Sequence, residues 1–275
     1  MTNSTLRLLI LGAHPDDAEF HAGGLATIYR QQGHVVKMVS LTDGRSGHHR
    51  HTPDRLAEIR QQESQDAAAV IGATYDVWEY PDGSLLPTLE VRERIIREIR
   101  TFKPDLVLTH RPNDYHPDHR ATGQAVQDAS YLVTVPLVVP DVPPLVRDPV
   151  VAYMPDLFTR PYALVPDVAI DIGPVFDTIV NMLACHTSQV FEFLPFNLRV
   201  QDEVPSDRVE RLAWLARWYG SIIRPRADRF REALVRQYGS THGHTITVCE
   251  AFEISEYAAP LDAATRQRLF WFLAP

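Results

Sequence analysis

The chain has 275 residues, 45% of them hydrophobic and 23% charged, enough to bury a sizeable core as one globular unit. Its formal net charge is −8, and lysine occurs only at Lys37 and Lys103. That leaves no basic footprint, which argues against nucleic acid or an anionic membrane surface as a partner. Cys185 and Cys249 are too few for a disulfide framework and lack metal-type spacing, so reduced thiols in a cytoplasm are expected. The opening apolar run is shorter than a signal peptide's core, and the greasy stretch 131–140 is broken by prolines, so no membrane span is expected.

Four short β-rich runs bounded by turn signals predict buried strands over 6–13, 35–42, 74–80 and 105–110. Helical patterns separate them, over roughly 20–32, 53–71 and 88–102. The proline- and valine-rich stretch 134–166 reads as an irregular excursion. A further strand is expected over 167–173, a helix near 174–186, a long helical region over 206–238 with a break at Pro225, and a last strand over 246–254. Strand and helix alternate, which implies an α/β fold: a Rossmann-like, doubly wound, mostly parallel sheet with helices on both faces. No internal repeat divides the chain. The expectation is a single domain over 1–275, with a core over about 5–190 and a C-terminal helical and strand elaboration over about 191–275.

In doubly wound sheets, ligands bind beyond the carboxyl ends of the strands, where the strand order reverses. "AHPDD" (13–17) follows the first strand and "HRPNDYHPDH" (110–119) follows the fourth. Two polar clusters remote in sequence are thereby expected in one crevice. The first turn has His-Pro-Asp-Asp where a dinucleotide site needs glycines. His14 and Asp17 are three apart, as are His116 and His119, so each pair can turn two side chains to one point. Pro15 and Pro117 suit a helix start and stiffen both loops. Two histidines and one carboxylate form a catalytic zinc set with an open position. The surplus His and Asp residues remain for supporting or acid–base roles.

"AHPDDAEFHAGG", "LTDG", "EIRQQESQDAAAVIGA", "YPDGSL", "YHPDHRATGQAVQDA" and "CHTSQV" occur in this order. In them the chain resembles the PIG-L/LmbE-like family of zinc-dependent de-N-acetylases of N-acetylglucosamine-containing molecules. The similarity is dense over 6–132 and thinner to about 190. The resemblance implies that His14, Asp17 and His119 bind Zn2+, or another divalent first-row metal. It implies Asp16 as general base, His116 paired with Asp118 as the electrophilic partner, and Arg60 as a residue gripping substrate. It also implies assembly into homo-oligomers.

The expected activity is hydrolysis of a linear amide C–N bond, removing acetyl from an N-acetylated amino sugar or its conjugate. The rivals are a superfamily hydratase or other amidase acting on a non-sugar substrate, a non-haem iron oxygenase, and a catalytically silent metal-binding relative. The complete His-Pro-Asp-Asp run argues against the hydratase, and the α/β alternation against the oxygenase. Weaker signals are "HHRH" (48–51), read as a polar loop or a lid; Trp214 and Trp218, read as a core stripe; and His242 and His244, read in a glycine turn.

Overall fold

A computed structural model describes residues 5–273. In chain order the elements are β1 (Arg7–Gly12), α1 (Asp17–Gln31), β2 (Val35–Thr42), α2 (Pro53–Ile71), β3 (Thr74–Tyr80), α3 (Leu89–Phe102), β4 (Leu106–Thr109), α4 (Pro117–Ala129), β5 (Val150–Tyr153) and β6 (Val168–Asp171). There follow α5 (Phe176–Cys185), a π-helical turn over Ser188–Phe193, α6 (Leu194–Leu198), α7 (Arg208–Arg229), α8 (Arg231–Thr245), β7 (Cys249–Ile254) and α9 (Ala263–Leu269).

The sheet has seven strands in the order β3-β2-β1-β4-β5-β7-β6. The first five run parallel and β7 is antiparallel to both of its neighbours. Successive residues of β1 feed opposite layers: Leu8 and Ile10 pack in the core beneath α1 and α5, and Leu9 and Leu11 in the core beneath α3 and α4. Burial on both faces is why the strand reads as a continuous apolar run rather than an alternating one. The order reverses at β1, between β2 and β4, so the loops after β1 and β4 open into one crevice as expected.

Three expectations are corrected. The 134–166 stretch contains a strand, β5, and the turns before it are organised by Arg100. That side chain is 1% exposed and its guanidinium donates to the carbonyls of Leu132, Val133, Val135, Val138, Val139 and Val142. Helix α7 runs through Pro225 and ends at Arg229. The non-helical residue that follows is Gly239, at φ 78°, inside α8. His242 and His244 lie on α8 rather than in a turn, and His242 faces Asp171 on β6, 3.3 Å away. The last strand falls within its expected span as β7, which inserts between β5 and β6, and its Glu250 accepts from the N–H groups of Gly24 and Leu25 in α1. Residues beyond 190 therefore complete the sheet and brace the helix that carries the first motif.

Candidate functional site

The turn after β1 is closed by the Asp17 N–H donating to the His14 carbonyl, 3.2 Å, which sets both side chains on one side. Asp17 Oδ2 accepts from the N–H groups of Ala13 (2.9 Å) and His14 (2.7 Å) and lies 3.0 Å from His110 Nε2. With Oδ2 saturated, Oδ1 faces the crevice, 3.5 Å from His119 Nε2. His14 Nδ1 lies 3.2 Å from His119 Nε2 and 3.5 Å from Asp17 Oδ2. Donors bound at about 2.1 Å around a tetrahedral ion stand about 3.4 Å apart. The His14 and His119 nitrogens stand at close to that spacing, and Asp17 approaches them through different oxygens, Oδ2 toward His14 and Oδ1 toward His119.

The outer atoms of each ring support the same reading. His119 Nδ1 lies 3.0 Å from Asp114 Oδ1, which assigns its proton to Nδ1 and leaves the Nε2 lone pair facing inward. His14 Nε2 sits 3.2 Å from Asp82 Oδ1 and 3.3 Å from Asp118 Oδ2, between the two carboxylates and off the ideal line to either. Its inward Nδ1 is likewise a lone-pair donor. Two imidazole lone pairs and a carboxylate oxygen facing one another repel unless a cation or a proton lies among them. The proton affinities register that need. Burial would lower His14, but Asp118, Asp17 and Asp82 hold it well above its usual value. Burial likewise opposes the shift of His119, yet Asp17 and Asp114 push it up to about 9. Burial would raise Asp17, and His119 and His110 hold it well below the usual carboxylate range. The donor set fits a divalent cation.

Asp16 stands beside this cluster, 5% exposed, at φ 124° and ψ −22°, a sparsely populated conformation for a residue with a side chain. Its carboxylate makes no capping bond to α1; Oδ2 faces Arg60 Nη2 at 3.2 Å. Burial raises the Asp16 carboxyl to about 6, against the opposing pull of Arg60. A carboxyl in that range can both take and return a proton near neutrality.

Asp118 and Arg60 each have well-defined surroundings. The Asp118 carboxylate accepts from the N–H groups of Gly83 (2.7 Å) and Leu85 (3.1 Å) and flanks His14. It is the Asp118 backbone N–H, not the carboxylate, that meets His116, donating to Nδ1 at 3.2 Å. Burial, with His14 and His119 beside it, lowers His116, and with Nδ1 accepting from that N–H its Nε2 is the ring atom left to donate. Arg60 is 2% exposed and donates to the Pro15 carbonyl and, at 2.9 Å, to Gln189 Oε1, besides pairing with Asp16. It lies beneath Asp16, packed against Gly44 of "LTDG", where a Cβ would stand 2.9 Å from Arg60 Cδ, and not at an open mouth.

The structure adds His110, Asp114 and Asp82 to the site. Their only sequence signals were position in "HRPNDYHPDH" and "YPDG". In the "HHRH" loop, His48 Nε2 meets Glu192 at 3.0 Å and His49 stacks on Phe196. Because Asp114 orients His119, Asp114→Ala is expected to weaken metal binding by about 10- to 100-fold. Competition against a chromogenic chelator reads this directly, and wild-type affinity would return Asp114 to a surface role.

The fold and the donor cluster define a doubly wound α/β protein with a His and Asp centre at the switch point of its sheet. Residues 9–130 match the PIG-L family model, described as GlcNAc-PI de-N-acetylase. A probable N-acetyl-α-D-glucosaminyl L-malate deacetylase 2 of Bacillus anthracis is 32% identical over 138 residues, 47% of this chain and 60% of the relative. A 4-oxalmesaconate hydratase of Pseudomonas putida is 24% identical over 189 residues, 66% of this chain and 73% of the relative. In fold, the chain resembles the N,N'-diacetylchitobiose deacetylase of Pyrococcus horikoshii, with a TM-score of 0.68 at 22% identity, covering 91% of this chain and 84% of that one. No helix among the described residues is long and apolar enough to cross a membrane.

Proposed function

We propose that this chain is a divalent-metal-dependent de-N-acetylase, with zinc as the metal and an N-acetylated amino sugar or its conjugate as substrate. One observation carries the reading: His14 Nδ1 and His119 Nε2 stand 3.2 Å apart, each 3.5 Å from an oxygen of Asp17, beside a buried carboxylate, Asp16, that is not one of the three. A zinc ion held by those three residues supplies Lewis acidity, easing deprotonation of water and polarising the acetyl carbonyl.

The chain's own groups do the rest. The Asp16 carboxylate takes the proton of the attacking water as the new C–O bond forms at the acetyl carbon. His116, through Nε2–H, donates a hydrogen bond to the oxyanion that develops on the carbonyl oxygen. Asp16, now protonated, passes that proton to the amide nitrogen as the C–N bond breaks, so acetic acid and an amine leave, exchanging the remaining proton between them, and the carboxylate is restored. His110 and Asp114 hold Asp17 and His119, and Asp82 and Asp118 hold His14.

A sugar-type substrate is favoured by Tyr115. Its ring is 71% exposed although it lies 5.5 Å from the His119 ring and 5.7 Å from the His116 ring, with Phe158 6.1 Å away. An open aromatic face at the edge of the centre offers a platform for the apolar face of a pyranose. Tyr115→Ala should raise KM about fivefold, corresponding to about 1 kcal/mol of stacking, with kcat little altered. Steady-state kinetics check this, and an unchanged KM would remove the platform from the account.

The longer match to the P. putida hydratase keeps a second reading in view, addition of water to an unsaturated acid. A screen of zinc-loaded protein distinguishes the two: fluorogenic detection of primary amine from N-acetyl sugars and acyl-amide conjugates, beside loss of ultraviolet absorbance from conjugated unsaturated acids. Amine release supports the deacetylase reading. Turnover of the unsaturated acids alone would replace it.

A further inference from the structure

The "CHTSQV" segment at the end of α5 lies outside the residues matched by the family model, yet three of its side chains reach back to α1 and α2. His186 Nε2 meets Glu19 Oε1 at 3.1 Å, both residues fully buried. The Ser188 N–H and Oγ–H donate to the two carboxylate oxygens of Glu63 at 2.7 and 2.6 Å. Gln189 Oε1 accepts from Arg60 Nη1 at 2.9 Å. Glu19 is in the first turn of α1, and Arg60 and Glu63 share a face of α2. The segment is thus a clasp that ties the start of α1 to α2, and it opens a π-helical turn, a widened form often found where a side chain must be redirected.

We propose that Gln189 is a positioning residue for Asp16, acting through Arg60. The guanidinium has a fixed planar fork. Its Nη2 edge faces the Pro15 carbonyl and Asp16 Oδ2, and its Nη1 edge is held by Gln189. Arg60 Nε has no hydrogen-bond partner, so Gln189 is the side chain that fixes the rotation of the fork. Asp16 in turn makes no capping bond, so the direction of its carboxylate rests on Arg60. A base displaced by a fraction of an ångström loses its line to the water it deprotonates. The kinetic part of this inference rests on the reading of Asp16 as the general base.

The test compares Gln189→Met, which keeps length and removes the acceptor, with Gln189→Glu, which restores an acceptor oxygen. Each zinc-loaded variant is crystallised and assayed for metal content, Tm and kinetics. Gln189→Met should bind metal as wild type does, show a lengthened Arg60–Asp16 contact, and lose about tenfold in kcat with KM nearly constant. Gln189→Glu should restore the contact and most of the rate, a rescue that a merely structural role would not give. Wild-type kcat in Gln189→Met, or an unmoved Arg60–Asp16 contact, would overturn the proposal. If Gln189→Met does not fold, Gln189→Asn, which draws the acceptor back by one methylene, is judged by the same contact and rate. The crystallographic contact separates this inference from the functional reading: a moved Asp16 in an enzyme that releases no amine sinks the reading and not the clasp.

Discussion

Asp16→Asn is expected to retain its metal and its fold while losing on the order of 10² to 10⁴ in kcat, the usual worth of general acid–base catalysis. Asp17→Ala is expected to lose the metal itself. The neighbours differ because their surroundings do. Asp17 has one oxygen saturated by two backbone N–H groups and His110, so the other is presented rigidly to His119. Asp16 has no capping bond from its carboxylate, Arg60 as its ion-pair partner, and burial that keeps its carboxyl near about 6. His119→Ala should behave like Asp17→Ala. His116→Ala should keep the metal and lose on the order of 10² to 10³ in rate, as for a removed oxyanion donor. Metal content measured beside each rate decides the matter, since a partly empty site imitates a catalytic defect. Zinc lost from Asp16→Asn and kept in Asp17→Ala would reverse the two assignments.

Arg100→Met is expected to cost about 3–5 kcal/mol in stability and to lower Tm by on the order of 10 °C. The guanidinium is buried without a carboxylate partner in bonding contact; six carbonyls of the 132–142 turns solvate it instead. Its loss strands those carbonyls and frees the segment that delivers β5 to the edge of β4. Arg100→Lys should recover only part of the loss, because an ammonium offers three donors and no planar fork. Arg97, one turn earlier on α3, pairs with Asp141 at the surface, and Arg97→Ala should cost less than about 1 kcal/mol. Thermal melts of the three variants check the ranking. Equal costs for Arg97→Ala and Arg100→Met would show that the carbonyl cage is not what organises the loop.

What could be read from the sequence follows from how locally each feature is specified. The bounds of β2, β3 and α2 coincide with expectation because apolar periodicity and the Pro53 and Gly72 signals, at N1 and C-cap, are local. The convergence of His14, Asp17 and His119 follows from two i, i+3 pairs placed after adjacent parallel strands. β5 escaped because four apolar residues inside a proline-rich stretch carry no period, and its pairing is supplied by β4. The end of α7 was misplaced because Pro225 costs one backbone bond that tertiary packing of Ile223, Arg226 and Ala227 offsets. The roles of Arg60 and Asp118 required contacts to Gln189 and to the backbone of Gly83 and Leu85, partners remote in sequence.

The most direct measurement is a titration of Zn2+ into chelator-stripped protein while primary amine released from an N-acetylglucosamine conjugate is followed. Activity should rise linearly from nil and reach its plateau at about one equivalent of metal per chain, with Asp16→Asn taking up the same equivalent and staying at least on the order of 10² below wild type. Full activity in the stripped protein, or a plateau that bears no relation to metal uptake, would contradict the account.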